Sequence, residues 1–342
     1  MMPVAMVGRG VELAEICAAW ASVVAAGTSR TVLVTGAAGL GKSLLVAGAV
    51  ESVGPRPPVL LTGRARVHTP APYDWLAGVL SGRETGELPV PADALAWLAQ
   101  HPDAPRERYA PEALLRLAVR TVRALVGTGP AMLVVEDLHA LDPASLNLVG
   151  ELALAGLPAL LLVTSRPAEE SVAPDLTART LARLAGAPGA VRQHLDPLDV
   201  TQVGQVLAQI YPDRPVPVDV ASTVHERTGG NPYWLTELLA TGGRLGPEAL
   251  ARAPLPEHLH AAARGATTPD GTDGAPAELT AREVEVLTCL AAGMSNKQVA
   301  RSLSISVRTV TVHVSNLLRK TRSASRTEAA LWAVRHLRLP RR

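Results

Sequence analysis

Apolar positions along this chain change rhythm three times. Glu12 to Ala26 alternates apolar and polar residues at helical spacing and predicts an amphipathic helix. Thr31–Thr35 is a short apolar, β-branched run that ends in a glycine-rich turn, and Val59–Thr62, Met132–Val135 and Leu160–Thr164 are runs of the same kind. Helix-like stretches lie between them. Short continuous apolar strands alternating with helices imply a parallel, doubly wound sheet buried on both faces. From Pro197 to about Ala240 the pattern becomes helical with no further strands. Residues 264–277, RGATTPDGTDGAPA, are rich in Gly, Pro, Thr and Asp and predict a flexible linker. No internal repeat at a period of 20–50 residues is visible.

Beyond the linker the helical rhythm returns in short pieces. Thr280 and Glu283 form a capping box that opens a helix with Val284, Leu287 and Leu290 on its apolar face, ended by Gly293. Ser295 and Gln298 cap a second helix carrying Val299, Ala300 and Leu303. After the turn Ser304–Ser306, a third helix places Val310, Val314, Leu317 and Leu318 on one face. Its other face shows Arg308, Thr311, Val312, His313, Ser315, Asn316, Arg319 and Lys320. Ser325 and Glu328 cap a fourth helix through Leu337. Two short helices joined by a tight turn, the second polar on its exposed face, are a helix-turn-helix arrangement.

Charge sharpens this division. Residues 278–342 hold 12 Lys and Arg against 4 Asp and Glu, whereas residues 1–277 hold 21 against 27. A basic module on an acidic body is the footprint of a nucleic-acid binder, because neutralising phosphates supplies most non-specific affinity. The net charge of +2 hides the asymmetry. Only Lys42, Lys297 and Lys320 are lysines, and all three fall inside motifs. The absence of Phe and the abundance of Ala, Arg, Gly and Pro read as a genomic composition bias.

Candidate chemistry concentrates at the ends of the apolar runs. Gly36–Ser43 reads GAAGLGKS, matching G-x-x-x-x-G-K-S/T between a strand and the helix-like Leu44–Val53. Gly36, Gly39 and Gly41 let backbone N–H groups curl around phosphate oxygens, and the following helix N-terminus adds its positive end. Lys42 would reach the β- and γ-phosphates, and the Ser43 hydroxyl would bind Mg²⁺. Met132–Val135 ends in Glu136 and Asp137, carboxylates suited to holding Mg²⁺ and orienting an attacking water. Either carboxylate suits either task. Arg166, past the end of Leu160–Thr164, would sense a γ-phosphate as a planar donor. The implied cofactors are a nucleoside triphosphate and Mg²⁺; no guanine-reading N-K-x-D is present.

These motifs resemble the signal-transduction ATPases with numerous domains, and in particular the ATPase region of large ATP-binding LuxR-type regulators, over about Val7 to Ala240. VGRGVELAEI is similar to their box beside the adenine, with Gly10 where an acidic residue is usual. GRARVHTPAPYDWLAGVL resembles the segment after their second strand, and EDLHALDPASL their acidic motif, with Ala140 for the usual Trp. TGGNPYWLTELL matches their GNP helix start, where Asn231 suits the cap and Pro232 the first helical position. LTAREVEVL, GMSNKQVARSLSISVRTVTVHVSNLLRK and SRTEAALWA resemble the four-helix DNA-binding domain of LuxR-type regulators nearly end to end. That resemblance implies a third helix in the major groove with Thr311, Val312 and Ser315 facing bases. Lys297, Arg308, His313, Arg319 and Lys320 would contact phosphates, and the fourth helix would serve dimerisation. Thr311 stands where many relatives carry Lys, so base preference does not carry over. The long helical-repeat region of the large members has the short linker in its place.

The remaining signals exclude more than they add. Cys17 and Cys289 are far apart and sit in apolar helical contexts, which argues for core thiols in a reducing cytosol. His258 and His260, two residues apart with no cysteine cluster, do not present one metal site. No apolar run approaches the roughly 20 residues that span a bilayer, and no basic stretch followed by an apolar one marks a signal peptide.

The expectation is therefore an α/β P-loop nucleotide-binding domain at 1–195, a helical lid region at 196–263, the linker at 264–277 and an all-α helix-turn-helix domain at 278–342. Its expected function is a cytoplasmic ATP-binding transcription regulator acting on double-stranded DNA as a homodimer or larger homo-oligomer. Rival readings are a slow ATPase localised by its tail and a constitutive DNA-binding protein with a structural nucleotide site.

Overall fold

A computed structural model describes residues 6–64, 71–83, 86, 88–101, 104, 109–171, 173–242, 246–252, 281–291, 294, 296–303, 310, 314 and 317. The chain divides into two compact units, Met1–Ala266 and Thr267–Arg342.

The first unit is built on a five-stranded sheet: β1 (Arg30–Thr35), β2 (Val59–Arg64), β3 (Ala131–Glu136), β4 (Ala159–Ser165) and β5 (Ala190–His194). The order is β2-β3-β4-β1-β5, and every pairing is parallel. Successive side chains of a strand point to opposite faces, and here both faces are covered. Val32, Val34, Met132, Val134, Leu160 and Leu162 enter one core with Ile16, Trp20 and Val23 of α1 (Gly10–Ala26) and Leu45, Val46 and Ala49 of α2 (Lys42–Ser52). Leu33, Leu61, Leu133, Val135, Leu161 and Val163 enter the other. That second core is closed by α3 (Asp74–Leu80), α4 (Ala92–Leu98), α5 (Pro111–Val126), α6 (Pro143–Leu152) and α7 (Pro174–Ala185). Two cores explain why the strands read as unbroken apolar runs rather than alternating ones. β5 has no such run; it is an edge strand paired with β1 alone, and only Gln193 in it is buried.

The α3 helix lies close on β2. A Cβ at Gly63 would fall 2.2 Å from the carbonyl oxygen of Trp75, so only glycine admits this approach. Tyr73, at the start of α3, is buried edge-on to Trp97 with ring centroids 5.8 Å apart. Burial, and then the charge of Asp142, pushes its phenol pKa up to about 12. The folded pKa is thus raised above the unfolded value of about 10. The stability tied to the neutral phenol is complete below pH ~10 and is lost as pH rises toward about 12. Replacing Tyr73 with Phe is expected to remove on the order of 1–2 kcal/mol of alkaline destabilisation. Urea midpoints of the wild type and Tyr73→Phe at pH 8 and pH 11 would show this as a smaller drop in the variant. Parallel drops would refute the assignment.

Past β5 the chain is helical: α8 (Val200–Ile210), α9 (Val218–Thr228), α10 (Pro232–Gly242) and α11 (Pro247–Arg252). Asp199 and Gln202 form a capping box on α8. Leu198, Val203, Leu207, Val224, Leu235, Leu238 and Leu250 make a separate small core. Arg227 donates to the carbonyls of Leu250 (2.9 Å) and Ala251 (2.6 Å), satisfying the end of α11.

In the second unit, α12 (Ala281–Ala291) and α13 (Asn296–Ser302) bring together Val286, Leu287, Cys289, Leu290, Val299 and Ala300. Val310 and Leu317, helical residues of the third stretch, are buried in the same core, and Val314 packs against it. Leu287, Leu290, Val299 and Ala300 therefore face inward, in keeping with the apolar stripes. The capping residues Thr280, Ser295 and Ser325, the linker, His258, His260 and the fourth helix lie outside the described residues. Among the described residues, no helix is long and apolar enough to cross a membrane.

Candidate functional site

The parallel register brings the ends of β1, β3 and β4 side by side. Thr35 pairs with Ser165, and Val135 with Val163, so the residues that follow these strands emerge along one edge of the sheet. Gly36–Gly41 leads from β1 into α2, with Gly36, Gly39 and Gly41 at φ +150°, +81° and +89°. Lys42 is buried and donates to the carbonyls of Gly36 and Ala37, both at 2.7 Å. Burial, and then the positive charge of Arg166, lowers its pKa, while Asp137 and Glu170 act the other way. Ser43 is exposed on the first turn of α2. It shares with Glu136 the wall of a cleft of about 600 Å³, lined otherwise mainly by Val46, Ala47, Val50, Leu60 and Val134.

Asp137 follows β3 in a left-handed conformation, φ +53°, which Asp tolerates better than most residues. Its N–H is donated to Thr164 Oγ1 at 3.1 Å. Two residues on, His139 is buried, and burial lowers its pKa. Its Nδ1 accepts the backbone N–H of Arg166 at 3.3 Å, which fixes the neutral tautomer with the proton on Nε2. The Arg166 guanidinium lies 3.6 Å from Glu170. Gly36, Gly39, Gly41, Lys42, Ser43, Glu136, Asp137 and Arg166 thus sit at one sheet edge. Such a set, with an ammonium, a guanidinium, a hydroxyl and two carboxylates around left-handed glycines, complements clustered anionic oxygens with a divalent cation. Among the described residues, no group of three or more His, Cys, Asp or Glu is arranged to hold a metal.

Two neighbours of the loop were not legible as such. Asn231 caps α10 as its sequence suggests, accepting the Tyr233 N–H at 3.0 Å. The same side chain also donates to the carbonyl of Ala38 in the glycine loop at 2.9 Å, and the Tyr233 N–H lies 3.2 Å from the carbonyl of Gly39. A Cβ on Gly39 would come 2.6 Å from Asn231 Oδ1, so this docking needs glycine there. Arg9, from the box before α1, is buried and donates to the carbonyls of Leu40 and Asp196, tying the loop to the segment after β5.

Of the candidate DNA-contacting residues, Lys297 lies on α13. Arg308, Thr311, Val312, His313, Ser315, Arg319 and Lys320 fall outside the described residues.

Fold and loop together define a P-loop nucleotide-binding fold. Residues 5–163 match the AAA ATPase domain family, and residues 277–333 match the bacterial regulatory proteins of the luxR family. The chain thus combines a match to the AAA ATPase domain family with a match to the luxR family of bacterial regulatory proteins. It is 56% identical over 59 residues to the uncharacterized transcriptional regulatory protein YhcZ of Bacillus subtilis, covering 17% of this chain and 28% of that protein. It spans about a quarter of the length of the curated relatives it matches. Among solved structures it is similar to Cdc6p from Pyrobaculum aerophilum (12% identity, 94% of this chain and 88% of that one, TM-score 0.50). It is also similar to the Aeropyrum pernix ORC1 protein in complex with DNA (14% identity, 92% and 84%, TM-score 0.51). At these identities the likeness is one of fold.

Proposed function

We propose that the chain is an ATP-binding, sequence-specific DNA-binding transcription regulator whose nucleotide state controls its assembly on promoter DNA. The observation that carries this reading is the contact between the glycine loop and α10, through Asn231 and Tyr233. A ligand that reshapes the loop must act on that contact, and so on the helices that follow. The proposed division is an ATPase domain at 1–195, a lid region at 196–263, a linker at 264–277 and a DNA-binding domain at 278–342.

The residues fit a magnesium nucleotide. Gly39 and Gly41 adopt conformations that L side chains disfavour, and Lys42 already holds two oxygen acceptors where it would hold phosphate oxygens. When bound, Mg²⁺ would neutralise phosphate charge, held by Ser43 with Glu136 or Asp137. Lys42 binds the β- and γ-phosphates, Arg166 senses the γ-phosphate, and the remaining carboxylate orients water. In the tail, Thr311, Val312 and Ser315 read bases, while Lys297, Arg308, His313, Arg319 and Lys320 hold phosphates of duplex DNA. Pairing two tails as a homodimer or larger homo-oligomer multiplies their affinity, so a modest nucleotide bias on assembly has a large effect. The protein would work in the cytosol.

The test is duplex-DNA affinity of the full chain at fixed salt, with and without ATP·Mg²⁺, using Lys42→Ala as control. A nucleotide-dependent shift that the variant lacks is the expected result. Equal, salt-sensitive binding in every case would overturn nucleotide control and leave a tail that works alone.

A further inference from the structure

Arg166 is pinned along its backbone and loose at its head. Its N–H goes to His139 Nδ1 (3.3 Å), and its carbonyl accepts the hydroxyl of buried Ser165 (2.8 Å). Its guanidinium, by contrast, meets Glu170 at 3.6 Å, with the two side chains 41% and 46% exposed. Glu170 is set at this distance by the turn Ala168–Glu170, closed by its own N–H on the carbonyl of Pro167 at 3.1 Å. The carboxylate's charge is also felt by Lys42 and His139, where it partly offsets the effect of their burial. It is therefore an anion paired with one of the two cations that would receive phosphate, Arg166, and felt by the other.

We infer that Glu170 is the resting counter-ion of Arg166, standing in for the terminal phosphate of a nucleoside triphosphate, and that exchange of Arg166 between the two sets the preference for triphosphate over diphosphate. The inference rests on the nucleotide-site reading above. An exposed ion pair contributes little, so a multiply charged phosphate displaces it readily. Because the Arg166 backbone is held on both sides, the exchange is a side-chain rotation that leaves the strand-end loop in place. A diphosphate has no oxygen at that position and leaves Arg166 with Glu170. Removing the Glu170 charge frees the guanidinium and removes a repulsive anion, and both effects act on the terminal phosphate.

The experiment is calorimetric titration of the full-length chain with ADP·Mg²⁺ and with a non-hydrolysable ATP analogue plus Mg²⁺, for wild type, Glu170→Gln, Arg166→Ala and the double variant. Glu170→Gln changes an exposed side chain and is expected to fold. It should tighten the analogue about two- to fivefold and leave ADP unchanged. In the Arg166→Ala background the same change should tighten the analogue clearly less, because the exchange partner is gone and only the direct repulsion is relieved. Equal tightening of both nucleotides, no tightening at all, or tightening undiminished without Arg166 would each overturn the exchange. If wild type bound neither nucleotide, the inference and the nucleotide-site reading would fall together. If wild type bound both and Glu170→Gln left them unchanged, the inference alone would fail.

Discussion

With Lys42 replaced by alanine, ATP·Mg²⁺ is expected to bind about 100-fold or more weakly, because a charge-assisted contact to buried anionic oxygens is lost. The ammonium is buried and makes two short bonds to loop carbonyls, those of Gly36 and Ala37. A phosphate takes over a group whose burial cost has been met by the fold, so little new ordering opposes binding. The same geometry predicts a small effect on stability. The loop lies at the sheet edge, where water can replace the ammonium on both carbonyls. Affinity and melting temperature should therefore separate: calorimetry shows the lost binding while thermal unfolding barely moves. Lys42→Arg distinguishes charge from shape, because a planar guanidinium cannot take the place of a compact ammonium between two carbonyls at 2.7 Å. Binding by Lys42→Ala within about threefold of wild type would remove the lysine from the site.

What could be read in advance depended on how local each signal was. β1 to β4 were legible because their apolar residues feed two cores, one on each face, leaving apolar runs in the sequence. β5 was not, since an edge strand reading AVRQH buries little and carries no run. The glycine loop was legible because its chemistry is packed into eight consecutive residues, Gly36–Ser43, and the α10 cap because Asn231 and Pro232 act on their own helix. The second bond of Asn231, to Ala38, joins residues 193 apart, and no periodicity encodes it. His139 and Glu170 are likewise ordinary in sequence. They become neighbours of Arg166 and Lys42 only because β3 and β4 pair in register and the turns after them fold toward α2. Arg9 likewise reaches Asp196 across 187 residues, a contact no local pattern encodes. In the tail, helical spacing alone selected Leu287, Leu290, Val299, Ala300, Val310 and Leu317 as interior.

Asp142→Ala is expected to cost about 3–5 kcal/mol of folding stability. Asp142 is buried and its carboxylate accepts three backbone N–H groups: Ser145 (2.9 Å) and Tyr73 (3.0 Å) on Oδ1, and Asp74 (3.2 Å) on Oδ2. The first bond caps α6, and the other two satisfy the start of α3, so one carboxylate serves the positive ends of two helices. Ser145 extends the clamp by accepting the N–H of Trp75 at 3.3 Å. The Tyr73 bond matters most, because that residue is held at φ +63°, a conformation costly for a bulky side chain. Alanine would leave this strained N–H buried without its acceptor and the Asp74 N–H with only the carbonyl of Ala71, at 3.2 Å. Asp142→Asn should recover only part of the loss, since its amide NH₂ would face one of the donors it replaces. Urea unfolding followed by tryptophan fluorescence measures the cost, and a loss under about 1 kcal/mol would refute the clamp. The consequence reaches the site. The segment from Asp137 to Asp142 is anchored at one end by Thr164 and at the other by this clamp. Releasing the second anchor gives Asp137 freedom that metal binding must remove again, so Mg²⁺-dependent nucleotide affinity should fall in Asp142→Ala even at temperatures where the fold persists.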